Sequence, residues 1–145
     1  MTAAAESERV QVSEPGRLMA KEIAEQPEVL ARILDEGLPQ IRQVAAQIKA
    51  AGPRFVVFAA RGTSDHAALY AKYLFEIVLG WPAGLASPST MTAYGATPDL
   101  RDVLFVGVSQ SGGSPDLVGS LRTARECGAL TLAVTNAPAS PLAEQ

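Results

Sequence analysis

The stretch Ser109-Gln110-Ser111-Gly112-Gly113-Ser114 has the make-up of an anion-holding loop. Its hydroxyls and carboxamide are neutral hydrogen-bond donors. Its paired glycines let the backbone turn sharply and come close to a ligand. Pro115 suits the first turn of a following helix. A helix N-terminus there would add unpaired N–H groups and a partial positive charge, which suit phosphate. The loop has no lysine, so it is not the G-x-x-x-x-G-K-[ST] nucleotide loop, and G-x-G-x-x-G is absent from the chain. Neutral donors alone suit a sugar monophosphate, whose affinity need not be extreme.

Two further stretches are small and polar: Arg61-Gly62-Thr63-Ser64 and Thr135-Asn136-Ala137-Pro138-Ala139-Ser140. Taken singly, such residues are also turn formers and helix caps. Three of them, each directly after a strand-like run, weigh toward a shared ligand site. Arg61 could steer a phosphate, or it could pair with a carboxylate such as Asp65. His66 is the single histidine and falls in the first turn of a helix beside this site. It is a candidate general base, although one histidine on a helix is more simply a site-lining or surface residue. Cys127 follows Glu126 at a helix end without a cationic setting, which reads as a structural thiol. No metal-binding spacing of the C-x-x-C or H-E-x-x-H kind is present.

These loops need elements to hold them. Arg54–Ala60, Asp102–Ser109 and Ala129–Thr135 are short continuous apolar runs rich in β-branched residues. Such runs predict strands buried on both faces of a parallel sheet. A weaker strand is predicted over 83–87. Helices are predicted over Asp65–Leu79, with an apolar stripe of Leu69, Tyr70, Tyr73, Leu74, Ile77 and Val78, over 89–94, and over Ser114–Cys127 with Gly128 as its C-terminal cap. Lys72 is expected to face solvent. Upstream, apolar residues recur at helical spacing from Arg17, with Pro27 read as opening a second helix and Pro39 preceding a third that ends at Ala51-Gly52-Pro53. Alternating strands and helices imply βαβ crossovers with helices on both faces of the sheet. Residues 136–145 read as a loop or turn.

Composition bounds the rest. The chain has 145 residues, 48% hydrophobic and 19% charged, which fits one folded domain. A net charge of -3 offers no basic field for nucleic acid. No apolar run reaches the roughly 18 residues of a membrane helix. The acidic N-terminus has no apolar signal region, and the single cysteine cannot form an internal disulfide, which fits a cytoplasmic protein.

Gly62-Thr63-Ser64, the S-Q-S-G-x-[ST] stretch at 109–114 and Asn136-x-Pro-x-Ser140 resemble, in order, the three loops of the SIS (sugar isomerase) domain family. The segment Met19–Pro27 resembles the one that precedes the isomerase domain of glutamine–fructose-6-phosphate aminotransferases. Arg61 before Gly62, and Ser114-Pro115-Asp116, look closer to SIS-type glucosamine-6-phosphate deaminases, as does Gly113 where the aminotransferases usually carry a glutamate. The resemblance runs from 19 to about 142.

It implies an α/β fold, a three-layer flavodoxin-like parallel sheet preceded by N-terminal helices. The implied division is a flexible segment 1–16, a helical arm 17–51, and a first SIS domain 52–145 that is incomplete at its C-terminus. It also implies that Ser109, Gln110, Ser111 and Ser114 hold the phosphate, with Gly62, Thr63 and Ser64 completing the sugar site and backbone near Ala137 and Ala139 contributing. The family usually has a hydroxyl where Ala139 stands. The implied reaction interconverts glucosamine 6-phosphate and fructose 6-phosphate, without a cofactor, in a homodimer. The family's catalytic residues belong to a later repeat, so this chain is expected to bind without turning over. Two rivals remain, a sensor domain fused to a DNA-binding module and an interaction domain with a degenerate pocket. No basic helix-turn-helix precedes the domain to support the first.

Overall fold

The computed structural model describes residues 15–145. The flexible character expected of the N-terminal segment therefore falls, for residues 1–14, outside the described residues. Helix α1 (Arg17–Arg32) continues through a wider π-helical turn, Ile33–Gly37, into α2 (Leu38–Ala51). Pro27 lies inside α1 and does not open a new helix as predicted. Proline there removes the bond to the carbonyl four residues earlier. That carbonyl belongs to Ile23, which is 57% exposed, so water can take the lost partner's place. The neighbours Glu25, Gln26, Glu28 and Leu30 are residues of high or moderate helix propensity and keep the chain helical. The π turn ends just before Pro39, where the missing N–H already interrupts the regular ladder.

By compactness the chain divides between Gln43 and Val44, within α2. The second unit, Val44–Gln145, carries the sheet. It contains β1 (Phe55–Ala60), α3 (Ser64–Leu74) with a π turn at Phe75–Leu79, β2 (Ala83–Leu85), α4 (Pro88–Thr92), β3 (Val103–Ser109), α5 (Pro115–Glu126) and β4 (Leu130–Thr135). The strands are all parallel, in the order β2-β1-β3-β4. This is the doubly wound flavodoxin order, in which the chain reverses direction across the sheet between β1 and β3.

The core shows why β1 and β3 read as continuous apolar runs. Val56, Phe58 and Ala60 of β1, with Leu104 and Val106 of β3, pack on one face with Ala68 of α3. Ala59 and Phe105 turn to the other face and meet Leu117, Val118, Leu121 and Ala124 of α5. Alternating residues of the two central strands thus enter two cores, so every position must be apolar. Gly80 (φ 65°) closes the π turn, and Gly128 (φ 93°) follows α5.

Four further expectations are corrected. β4 is an edge strand, and its residues are half-buried or exposed rather than buried on both faces, because no strand flanks it among the described residues. The stripe on α3 and the following turn turns outward: Tyr70, Tyr73, Leu74, Ile77 and Val78 are exposed. Ala68, Ala71 and Phe75 make the sheet contact in its place. Lys72 does not face solvent freely. Its ammonium is 2.7 Å from a Glu76 carboxylate oxygen and 5.3 Å from the centre of the Tyr73 ring. Residues 136–145 are more than a free loop, since Leu142 is fully buried in the α5-side core. No helix among the described residues is long and apolar enough to cross a membrane.

Candidate functional site

In a doubly wound sheet the carboxyl ends of the strands at the reversal point form a crevice, because the crossovers on either side leave in opposite directions. Here that point lies between β1 and β3, which pair in register from Phe55 with Val103 to Ala60 with Val108. The loop after β1 is Arg61–Thr63 and the loop after β3 is Gln110–Ser114, so the topology brings the first two polar stretches together. β4 pairs with β3 as far as Ser109 with Thr135, which sets the third stretch beside the second.

The second loop is tightly built. Ser109 is buried and its Oγ accepts the Gly112 N–H at 3.1 Å, which leaves the hydroxyl proton free to donate. Ser111 is exposed, and its Oγ accepts the Gly113 N–H at 3.4 Å. Ser114 is the N-cap of α5, with extended backbone (φ -69°, ψ 116°) and no side-chain capping bond, so its hydroxyl remains available. Gln110 is exposed at the rim. The first loop is open: Gly62 has φ 62° with nothing within 4 Å of where a Cβ would stand. Thr63 is exposed and Ser64 is half-buried at the start of α3.

Gly112 is the keystone of the arrangement. Its φ is 62°, a left-handed conformation that favours glycine. A Cβ added there would stand 2.0 Å from Ser140 Oγ and 2.4 Å from Ser140 Cβ. The third loop thus packs directly on the second. Further bonds join them: the Asn136 N–H to the Gln110 carbonyl at 3.3 Å and the Leu142 N–H to the Gly112 carbonyl at 3.0 Å. The Ala137 N–H is taken by Thr135 Oγ1 at 3.1 Å and its carbonyl accepts from the Ser140 N–H at 3.0 Å. What Ala137 still offers is one carbonyl lone pair. Ser140 Oγ is buried without a hydrogen-bond partner among the described residues.

Arg61 reaches across the crevice. Its guanidinium lies 3.7 Å from a carboxylate oxygen of Asp116, in the first turn of α5, and not on Asp65. His66 is exposed in the first turn of α3, and no side-chain hydrogen bond ties it to the three loops among the described residues. No group of three or more metal-ligating side chains occurs among the described residues. Sequence reasoning missed the partnership of Asp116, the packing of Ser140 on Gly112 and the anchoring by Leu142. The only signal for the second was the glycine itself.

The SIS domain profile matches residues 51–145. A glutamine–fructose-6-phosphate aminotransferase from Symbiobacterium thermophilum is 40% identical over 140 residues, which cover 88% of this chain and 22% of that protein. Among solved structures, a Silicibacter pomeroyi protein assigned as a phosphosugar isomerase superposes with a TM-score of 0.84 at 44% identity, over 87% of this chain and 38% of that one. The C-terminal domain of glucosamine–fructose-6-phosphate aminotransferase from Francisella tularensis superposes with a TM-score of 0.70 at 28% identity, over 87% and 36%. The chain therefore spans less than a quarter of the curated relative and under two-fifths of either structure. With the profile matched over most of the chain and the parallel order in place, the chain belongs to the SIS domain family.

Proposed function

We propose that this chain is the sugar-phosphate-binding part of an amino-sugar-phosphate isomerase or deaminase that acts on glucosamine 6-phosphate and fructose 6-phosphate. The observation that carries this reading is the convergence of three polar loops on the carboxyl ends of β1, β3 and β4. In it the phosphate sits against Ser109, Gln110, Ser111 and Ser114 at the N-terminus of α5, where partial positive charge and free hydroxyls favour it. Gly62, Thr63 and Ser64 face the sugar, and Ala137 contributes its carbonyl at the rim.

The chemistry at C1 and C2 is ring opening, proton abstraction beside the carbonyl, and loss or gain of the amine. It needs no cofactor, because the substrate's own carbonyl or imine acidifies the proton. The chain's part is positioning. A phosphate held at one end fixes where the reacting carbons lie, and the rate gained from such orientation is large. We assign proton transfer to groups outside these loops, with His66 as a lining residue. The reading extends to a homodimer in the cytoplasm and to a binding domain over 52–145 preceded by a helical arm over 17–51.

A second reading, the isomerase part of a glutamine-dependent aminotransferase, is favoured by the 40% identity to such an enzyme. Gly113 and Arg61 favour the deaminase side. Calorimetric titration with glucosamine 6-phosphate and fructose 6-phosphate tests the shared core of both. Binding that Ser111→Ala weakens supports the assignment. No binding, or binding indifferent to Ser111, overturns it. Steady-state release of ammonia from glucosamine 6-phosphate by the isolated chain would overturn the division of labour.

A further inference from the structure

The ion pair between Arg61 and Asp116 spans the reversal point of the sheet, from the end of β1 to the first turn of α5. Its carboxylate stands two residues from Ser114, at the helix terminus assigned to the phosphate. Arg61 is also the one cationic residue of the three loops: 109–114 and 135–140 contain no lysine or arginine. An anion arriving at α5 therefore meets one cation already engaged and one carboxylate that repels it.

The geometry of the pair is loose. The closest approach is 3.7 Å, and the side chains are 58% and 49% exposed. Exposed pairs of this kind contribute little, since water and salt screen them. A phosphate dianion offers the guanidinium two or three oxygens and twice the charge, so it outcompetes a single distant carboxylate oxygen. Resting on the sugar-phosphate reading above, we infer that Arg61 is a latch that Asp116 holds beside the loop and that the substrate's phosphate takes over on binding. Arg61 then makes the site selective for the phosphorylated sugar, while Asp116 lowers affinity and keeps weakly charged anions out. No bond is made or broken; one ion pair is exchanged for another.

The exchange predicts opposite signs for the two partners. Titrations of the purified chain compare fructose 6-phosphate, fructose and inorganic phosphate. Arg61→Ala should weaken fructose 6-phosphate and inorganic phosphate about 10- to 100-fold, the range of a charged hydrogen bond, and leave fructose unchanged. Arg61→Lys should recover part of the loss, since a point charge lacks the planar fork. Asp116→Asn should tighten both phosphorylated ligands about 2- to 5-fold by removing the competitor. Asp116→Ser serves as a second variant that keeps a polar residue in the first turn, and melting curves report whether each variant folds.

If Asp116→Asn and Asp116→Ser weaken binding as Arg61→Ala does, the pair is a brace and the exchange is wrong. If Arg61→Ala leaves affinity intact while Ser111→Ala weakens it, the latch falls and the phosphate anchor stands. A wild-type chain that binds no phosphorylated ligand overturns both.

Discussion

Gly112→Ala tests how the serine–glycine loop after β3 is built, because two independent costs meet at one atom. The first is conformational. At φ 62° an alanine pays about 1–2 kcal/mol for its left-handed backbone. The second is steric. The new Cβ would lie 2.0 Å from Ser140 Oγ and 2.4 Å from its Cβ, and Ser140 is a short side chain with little room to yield. Overpacking of this kind costs about 1–3 kcal/mol. The sum is about 2–5 kcal/mol, a large share of a marginal stability. For a chain of this size each kcal/mol moves the melting temperature by about 2–4 °C, so a fall of about 4–20 °C is expected.

Two companions separate the terms. Gly62 has the same φ of 62° with open space where a Cβ would go, so Gly62→Ala pays the conformational cost alone. Ser140→Gly removes the two nearest atoms that an alanine at 112 would strike and leaves Thr135 Oγ1 at 3.0 Å. The cost of Gly112→Ala measured in the Ser140→Gly background should therefore fall most of the way toward that of Gly62→Ala, the remainder being the tight contact with Thr135 Oγ1, in a double-mutant cycle read by urea unfolding at constant m. A Gly112→Ala cost below about 1 kcal/mol, or no relief from removing the Ser140 side chain, would refute the packing of the third loop on the second.

Further outcomes are expected. Ser111→Ala should weaken fructose 6-phosphate with no change in melting temperature, since Ser111 is exposed and its Oγ accepts only a long bond of 3.4 Å from Gly113; titration and melting curves check this. Leu142→Ala should cost about 2–5 kcal/mol in urea unfolding, because a fully buried leucine leaves a cavity beside Gly107 and Leu121. The hydrogen bonds from Arg101, chiefly from its guanidinium, hold the Asp99 carboxyl down at about 2. Its contribution to stability is whole above the ordinary value near 3.8 and fades as pH falls toward about 2, and it is small because the pair is fully exposed. In Arg101→Ala the Asp99 titration followed by NMR should move up toward 3.8; an unmoved titration would discount the pair.

The central strands were legible because each strand feeds two cores. Val56, Phe58 and Ala60 alternate with Val57 and Ala59, and all must be apolar, so the run stands out without any partner being known. The same property misleads at β4: Leu130–Thr135 is apolar, yet whether a strand is flanked on one side or two is not written in its own residues. The α3 stripe erred likewise. Helical spacing shows that a face is apolar, not that the sheet lies under it, and here the small residues Ala68 and Ala71 take that place.

For the site, residue types alone determined which loops could hold an anion. Serines and glycines after apolar runs are local facts, and their chemistry does not depend on the rest of the chain. Strand order decided the remainder. Only the pairing of β1 with β3 brings Arg61 to Asp116, 55 positions away in the sequence, and only the pairing of β3 with β4 seats Ser140 against Gly112. Donor identity is set residue by residue, whereas proximity is set by long-range hydrogen bonding between strands, and no local pattern records it.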